Sequence, residues 1–351
     1  MKIGILTFHR ANNFGAVLQC FALQTYLKKI GLEVYVIDYR QKYIESIYNT
    51  LSLSAIIRNL FHPKGLLNYI KGTFKRRERN KKFEDFASAY LLLSKTVTSN
   101  KILGYDMIVH GSDQIWNPKL TGGRYDDIYM GNYIVSDNCR KIGYALSFEE
   151  IPIIEHLKSY VHNSITNFSA IAVREKNLAG ILSSVTDKYV DVVVDPTLLL
   201  EGKDYEYLIK KPSIQEPYVL IYAVGPKDMA IKVASSIAKE RGLKVIDISQ
   251  KNISPNEFLG YIKYANFVVA VSFHGTVFSI LFKKDFYTIL TGQKSDVRYK
   301  ELLKNTNLQD RLIDSVPKCI TNVEFCNFDK RKDSYISYSK EYIRKQISGI
   351  L

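Results

Sequence analysis

Long apolar runs are missing from this sequence. None approaches the roughly 20 residues needed to span a bilayer, and Met1-Lys2-Ile3-Gly4 leads into a strand pattern instead of a signal peptide, so a cytoplasmic location is expected. Cysteine is scarce: Cys20, Cys139, Cys319 and Cys326 form no C-x-x-C pair, which argues against structural zinc and against a disulfide framework. No cluster of metal-ligating residues stands out, and neither a metal nor a cofactor is expected. No G-x-G-x-x-G occurs in the first β-loop-α unit, so dinucleotide binding has little support. Acid is also in short supply. Against 49 Lys and Arg stand 35 Asp and Glu, a net charge of +14 that implies an anionic partner: nucleic acid, a membrane surface or a phosphorylated substrate.

What is present is an α/β rhythm in a chain of 351 residues, too long for one ordinary core. Ile3 to Phe8 reads as a strand, Ala16 to Ile30 as a helix stopped by Gly31, and Val34 to Ile37 as a second strand. Further strands are predicted at Asp106 to Val109, Lys141 to Leu146, Ala170 to Val173 and Val190 to Val194. After the charged stretch Glu201 to Pro217 the alternation resumes, with strands at Tyr218 to Val224, Val245 to Ile248, Val268 to Val271 and Phe286 to Leu290. Two doubly wound, Rossmann-like α/β domains follow, at 1–205 and 206–351, with a tyrosine-rich terminal helix at Tyr335 to Ile347 expected to return to the first domain.

In such sheets ligands bind at the carboxyl ends of the strands. The stretch Val268 to Val271 is uniformly apolar, as a strand covered on both faces should be, and is followed at once by Ser272, Phe273, His274, Gly275 and Thr276. His274 is therefore placed like a site residue, although a histidine capping a helix is the commoner case. The first strand ends in a loop with Asn12, Asn13 and Gly15, which suits a sugar or an anion and equally suits a plain capped turn. The third ends in His110-Gly111-Ser112-Asp113, with Trp116, the only tryptophan, just beyond. Asp113 is either a site carboxylate or a turn cap. Arg174 follows a strand too, and can grip a carboxylate or phosphate or pair with Glu175. Ser295 to Arg298 open a helix with a plausible cap.

One segment breaks the rhythm, an insertion at about 40–100. Between Arg58 and Lys82 it carries nine Lys or Arg and one acid, Glu78, with apolar residues interleaved. Pro63, Gly65 and Gly72 read as punctuation between short helical pieces. Basic and apolar residues in short helices suit a segment lying on an anionic membrane; a solvated insertion packed by its apolar side fits about as well. Nucleic acid is not expected, because no recognition motif accompanies the charge.

Taken in order, N-N-F-G-A at Asn12 to Ala16, G-S-D-Q-I-W-N-P at Gly111 to Pro118, A-V-R-E at Ala172 to Glu175, V-D-P-T-L-L-L at Val194 to Leu200 and S-F-H-G-T-V-F-S at Ser272 to Ser279 resemble the polysaccharide pyruvyl transferase family. The resemblance implies a glycosyltransferase-B-like pair of Rossmann-type domains, phosphoenolpyruvate as donor, and hydroxyls of a polysaccharide precursor as acceptor. It also implies that the acceptor can be lipid-linked, which would hold the enzyme at the inner face of the membrane through residues 58–82. His274 matches the histidine of the family's R-x-H-G stretch. Where that stretch begins with arginine this chain has Ser272, so Arg174, Arg298 or Arg311 must supply the charge. The expected roles are then His274 and Asp113 in catalysis, with Arg174, Ser272, Gly275, Thr276 and Arg298 on the donor and Asn12, Asn13, Gly15 and Trp116 on the acceptor. The competing readings are a nucleotide-sugar-dependent glycosyltransferase of the same shape and a non-catalytic binder of phosphorylated sugar.

Overall fold

A computed structural model describes residues 1–48, 63–148, 155–294 and 296–349. The first sheet contains β1 (Lys2–Leu6), β2 (Glu33–Val36), β3 (Met107–His110), β4 (Arg140–Leu146), β5 (Ala170–Val173) and β6 (Val190–Val192) in the order β2-β1-β3-β4-β5-β6. The second contains β7 (Tyr218–Ala223), β8 (Lys244–Asp247), β9 (Phe267–Val271), β10 (Asp285–Ile289) and β11 (Leu312–Ile313) in the order β8-β7-β9-β10-β11. All pairings are parallel. The inner strands are buried along their whole length because helices cover both faces, which is why they read as unbroken apolar runs.

Each sheet starts on an inner strand, steps outward, then returns to the other side of the first. Strand order therefore reverses between β1 and β3 and again between β7 and β9. At such a reversal the loops leaving neighbouring strands diverge and open a crevice at the carboxyl ends. The molecule has two of them, one in each of two Rossmann-like parallel sheets.

The helices are α1 (Phe14–Lys29), α2 (Lys42–Tyr48), α3 (Pro63–Tyr90), α4 (Glu155–Thr166), α5 (Lys176–Ser183), α6 (Asp228–Arg241), α7 (Pro255–Tyr264), α8 (Phe273–Leu281), α9 (Asp296–Asn305) and α10 (Phe325–Ser348). Helix α1 is apolar almost all round, and 13 of its 16 residues are buried. That is the pattern of a helix enclosed on every side. Phe14 at its start stacks on Phe258 of α7, ring centroids 4.5 Å apart, and on Phe83 of α3 at 5.3 Å. One apolar cluster thus runs from the first sheet through α1 into the second domain.

The insertion corrects a sequence expectation. In place of short pieces, Pro63 to Tyr90 form one continuous helix, while residues 49–62 lie outside those described. Proline stands at its first position, where the missing N–H costs nothing. Gly72 is carried inside it at about 1 kcal/mol. The carboxyl half is anchored by Phe83, Phe86 and Ala87, all buried. Lys82 donates to the Asn252 carbonyl at 2.6 Å and Arg79 to the carbonyls of Lys251 and Asn12, so part of the positive charge ties the helix to both domains. Helix α10 runs back over the first sheet. Its Tyr342 hydroxyl donates to the Gly143 carbonyl and its Ser339 hydroxyl accepts from the Val194 amide, each at 2.9 Å.

Candidate active site

The turn after β9 begins the site. Ser272 is extended, with φ −161° and ψ 134°, and its hydroxyl accepts from the Gly275 amide at 3.3 Å. Its carbonyl accepts from the Thr276 amide and hydroxyl, each at 3.0 Å, and the same hydroxyl pairs with Thr288 at 2.7 Å. Ser272 is the N-cap of α8. The expectation that Ser272, Gly275 and Thr276 face a donor is corrected here, since their polar groups are spent on the cap. The amides of Phe273 and His274, the first two of α8, have no intrahelical partner.

His274 sits between the two domains. Its imidazole lies so close to Gly15 that a methyl group built on that glycine would come within 2.0 Å of Nδ1. Gly15 is therefore required by close approach. On the other side, Nε2 lies 3.7 Å from Asp195 Oδ2, within ion-pair range and beyond hydrogen-bond length; Nε2 itself is buried and makes no hydrogen bond. Its side chain keeps 16% exposure, so the ring is neither sealed in nor free.

Asp195 is the residue the sequence reading passed over. The V-D-P-T segment is a turn, in which Asp195 Oδ1 accepts from the Thr197 amide and hydroxyl. The second oxygen accepts from Arg174 Nη1 at 2.6 Å and reaches Ser112 at 3.4 Å. Burial pushes this carboxyl up, but the neighbouring His274, Arg174 and Thr197 outweigh that and hold it well below the usual carboxylate range. A carboxylate at the end of an apolar strand pattern was the available signal.

Arg174 is buried, stacks over the Phe273 ring at 5.3 Å and leaves its Nε without a hydrogen bond, 3.6 Å from Glu175 Oε1. Glu175 accepts from Ser147 through Oε1, while Oε2 is buried and unpartnered; burial raises this carboxyl above its ordinary value against the pull of Arg174 and Arg298. Arg298, on α9, faces the same space. Burial and the like charge of Arg174 depress its guanidinium. Asp113, with φ 70°, lies in the field of both arginines and turns Oδ1 to the Gln114 amide at 2.8 Å. Two cavities open between these groups. One of about 240 Å³ is lined by Gln114, Ser147, Glu175, Lys294 and Arg298; the other, about 20 Å³, lies among Arg174, Asp195, Phe273, Arg298 and Tyr335.

Other expected residues fall elsewhere. Trp116 is 2% exposed, donates to the Tyr129 carbonyl at 2.9 Å and packs on Phe148 and Phe168, so it belongs to the core and not to an acceptor site. His110 is also core. Asn13 caps α1, accepting from the Gly15 and Ala16 amides at 2.8 and 3.3 Å. The Asn12 amide donates to Asn80 of α3 at 2.5 Å. Arg311 is held by Asp310, by Thr321 and by stacking on Tyr287, and cannot replace the arginine absent at Ser272. The Ser295 cap lies outside the described residues. No group of His, Cys, Asp and Glu suited to a metal occurs among the described residues, and no described helix is long and apolar enough to cross a membrane.

Solved structures similar to this chain include the spinosyn forosaminyltransferase SpnP, at 11% identity and a TM-score of 0.42 over 100% of this chain and 99% of that one. The UDP-GlcNAc 2-epimerase from Neisseria meningitidis bound to UDP-GlcNAc is similar at 8% identity and a TM-score of 0.45, over 99% and 100%. The UDP-GlcNAc 2-epimerase from Methanocaldococcus jannaschii is similar at 10% and 0.44, over 96% and 93%. Comparison with curated proteins gives no match. The model of one family, polysaccharide pyruvyl transferase, matches residues 13–292, a span that holds the Asn12–Gly15 loop almost entire, Arg174, Asp195 and His274. The chain therefore belongs to the polysaccharide pyruvyl transferase family.

Proposed function

We propose that this protein transfers the pyruvyl group of phosphoenolpyruvate to two hydroxyls of a sugar in a polysaccharide precursor, forming a pyruvyl ketal. In that reaction both sugar oxygens end on C2 of the donor, the C2–O bond to phosphate breaks, the methylene gains one hydroxyl proton and the departing phosphate takes the other. The chemistry needs cations for two anionic groups and a proton carrier beside C2.

The observation that carries the reading is the convergence of Arg174, buried, and Arg298, half-buried, on a cavity also lined by Asp195, the carboxylate 3.7 Å from His274 Nε2. Arg298 is desolvated next to a like charge, a situation that an anion relieves. Together with the Phe273 and His274 amides it stands in for the arginine replaced by Ser272. His274 is the proton carrier, since imidazole both donates and accepts protons near neutrality. Asp195 orients and balances the protonated ring. Asp113 takes a hydroxyl proton in the same cleft.

The first half of α3 serves as a surface contact. Ile70 and Phe74 are 41% and 66% exposed and stand beside Lys71 and Lys75, an arrangement suited to an anionic leaflet. Sedimentation with anionic vesicles that high salt abolishes is the expected result; no binding at low salt overturns this part.

The donor is tested with the intact chain. Phosphoenolpyruvate should raise its melting temperature, and a panel of galactosides should yield phosphate and a sugar heavier by one pyruvyl ketal. Protection by the nucleoside diphosphate alone would overturn the reading in favour of a nucleotide-sugar donor.

A further inference from the structure

A cavity of about 690 Å³ lies beside the Arg10–Gly15 loop, bounded by the end of β2 and by α3. His9, Arg10, Asn12, Arg40, Arg77 and Lys81 line it, with Glu45, Glu84 and Asp85 among its other residues. Beneath these cations is Asp38, 3% exposed. Its Oδ1 takes Arg10 Nε at 2.5 Å and His9 Nε2 at 3.1 Å, while Oδ2 takes Thr96 Oγ1 at 2.7 Å and Arg40 Nε at 3.4 Å. Burial raises this carboxyl, but the bonds from His9, Arg10 and Thr96 overcome it and keep it charged.

The consequence is geometric. Asp38 holds both guanidiniums by Nε, which fixes their orientation and leaves their Nη groups for another acceptor. Among the described residues nothing accepts from those Nη groups. Arg77 and Lys81 from α3 stand with the two tethered forks, while Glu45, Glu84 and Asp85 are exposed at the edge of the cavity, Glu45 Oε1 lying 3.9 Å from Arg40 Nε. Planar forks on a polyoxygen dianion are the arrangement in which arginine binds best. The same loop runs on to Gly15, which lies against the His274 ring.

We propose that this cavity binds a phosphate or diphosphate carried by the acceptor, gripped by Arg10 and Arg40 and covered by Arg77 and Lys81. The identity of the ligand as the acceptor rests on the transfer reaction above; the anion site itself does not. Titration calorimetry with inorganic diphosphate, in the absence of phosphoenolpyruvate and of turnover, therefore tests it independently. Diphosphate should bind the intact chain and weaken at least tenfold in R10A/R40A. Should R10A/R40A fail to fold, R77A/K81A replaces two exposed residues of α3 and gives the same reading. Unchanged affinity in the folded arginine variant overturns the proposal. Displacement of bound diphosphate by phosphatidic acid vesicles assigns the site to a membrane-borne phosphate, and no displacement assigns it to a soluble one; both keep the site.

Discussion

The chain has two histidine-glycine pairs at the carboxyl edge of a parallel sheet, His110-Gly111 and His274-Gly275, and they have opposite fates. His110 is still inside β3, so the alternation of the strand turns its ring away from the crevice. It is fully buried, with Nδ1 on the Tyr129 carbonyl at 3.1 Å and Nε2 on the Tyr133 hydroxyl at 2.7 Å. His274 comes three residues after β9 ends, in the first turn of α8, where the ring leans over the strand ends toward Gly15. One ring has both nitrogens satisfied and no access; the other has Nε2 unpartnered beside a charged carboxylate. A shift of a few residues between strand end and helix start separates a core histidine from a candidate acid.

The comparison breaks most directly at His274. His274→Ala should lower the rate of phosphate release per folded molecule by roughly 10²- to 10⁴-fold. A small change in rate would remove the ring from the chemistry. Next comes Gly15→Ala. Its methyl group needs space that Nδ1 occupies, and a displacement on the order of 1 Å at a reacting group can cost about 10²-fold. A serine or alanine at position 15 that retained full rate would show that the contact between the domains does not position the imidazole.

How much of this was legible in the sequence follows from the same pair. Apolar runs marked the strands well, because parallel strands buried on both faces carry no polar positions to blur the pattern. The motif order pointed to the family, and His274 and Arg174 were named from it. Trp116, expected on the acceptor, lies in the core because the path of the turn beyond a strand end, which decides what a residue there faces, is not fixed by one sequence. Asp195 was hidden by its second task as the cap of the Pro196–Leu199 turn. The cap bonds of Gly275 and Thr276 were hidden for a related reason: a helix start that looks open can be closed by its own serine. Helix α3 was read as fragments because proline and glycine commonly mark helix ends, whereas here proline stands at the first turn and Gly72 is carried inside the helix.

His110 gives the converse test. His110→Ala should cost about 3 kcal/mol of stability through lost packing and the orphaned Tyr133 hydroxyl, while the rate per folded molecule stays within about twofold. The Tyr129 carbonyl keeps a donor, Trp116 Nε1 at 2.9 Å, which limits the loss. A larger loss of rate than of stability would place His110 in the site after all.

The smallest effect is that of pH on the same core residue. Burial pulls the His110 imidazole down to about 3, with the Lys141 charge adding to the shift and the bond to the Tyr129 carbonyl opposing it. The unfolded chain takes up this proton below about 6.5, whereas the folded one does so only near 3. The unfolded state therefore binds more protons across that window, and stability is full above about 6.5 and declines as pH falls toward 3. Between pH 7.5 and 5.5 the loss is about 1 kcal/mol, one unit of titration below the unfolded value. Thermal unfolding at the two pH values should show this decline in the parent and a shallower one in His110→Ala, the difference isolating this ring from the other histidines. Equal slopes would mean that His110 takes up its proton without leaving the core, and the contrast with His274 would then lie in access to the cleft alone.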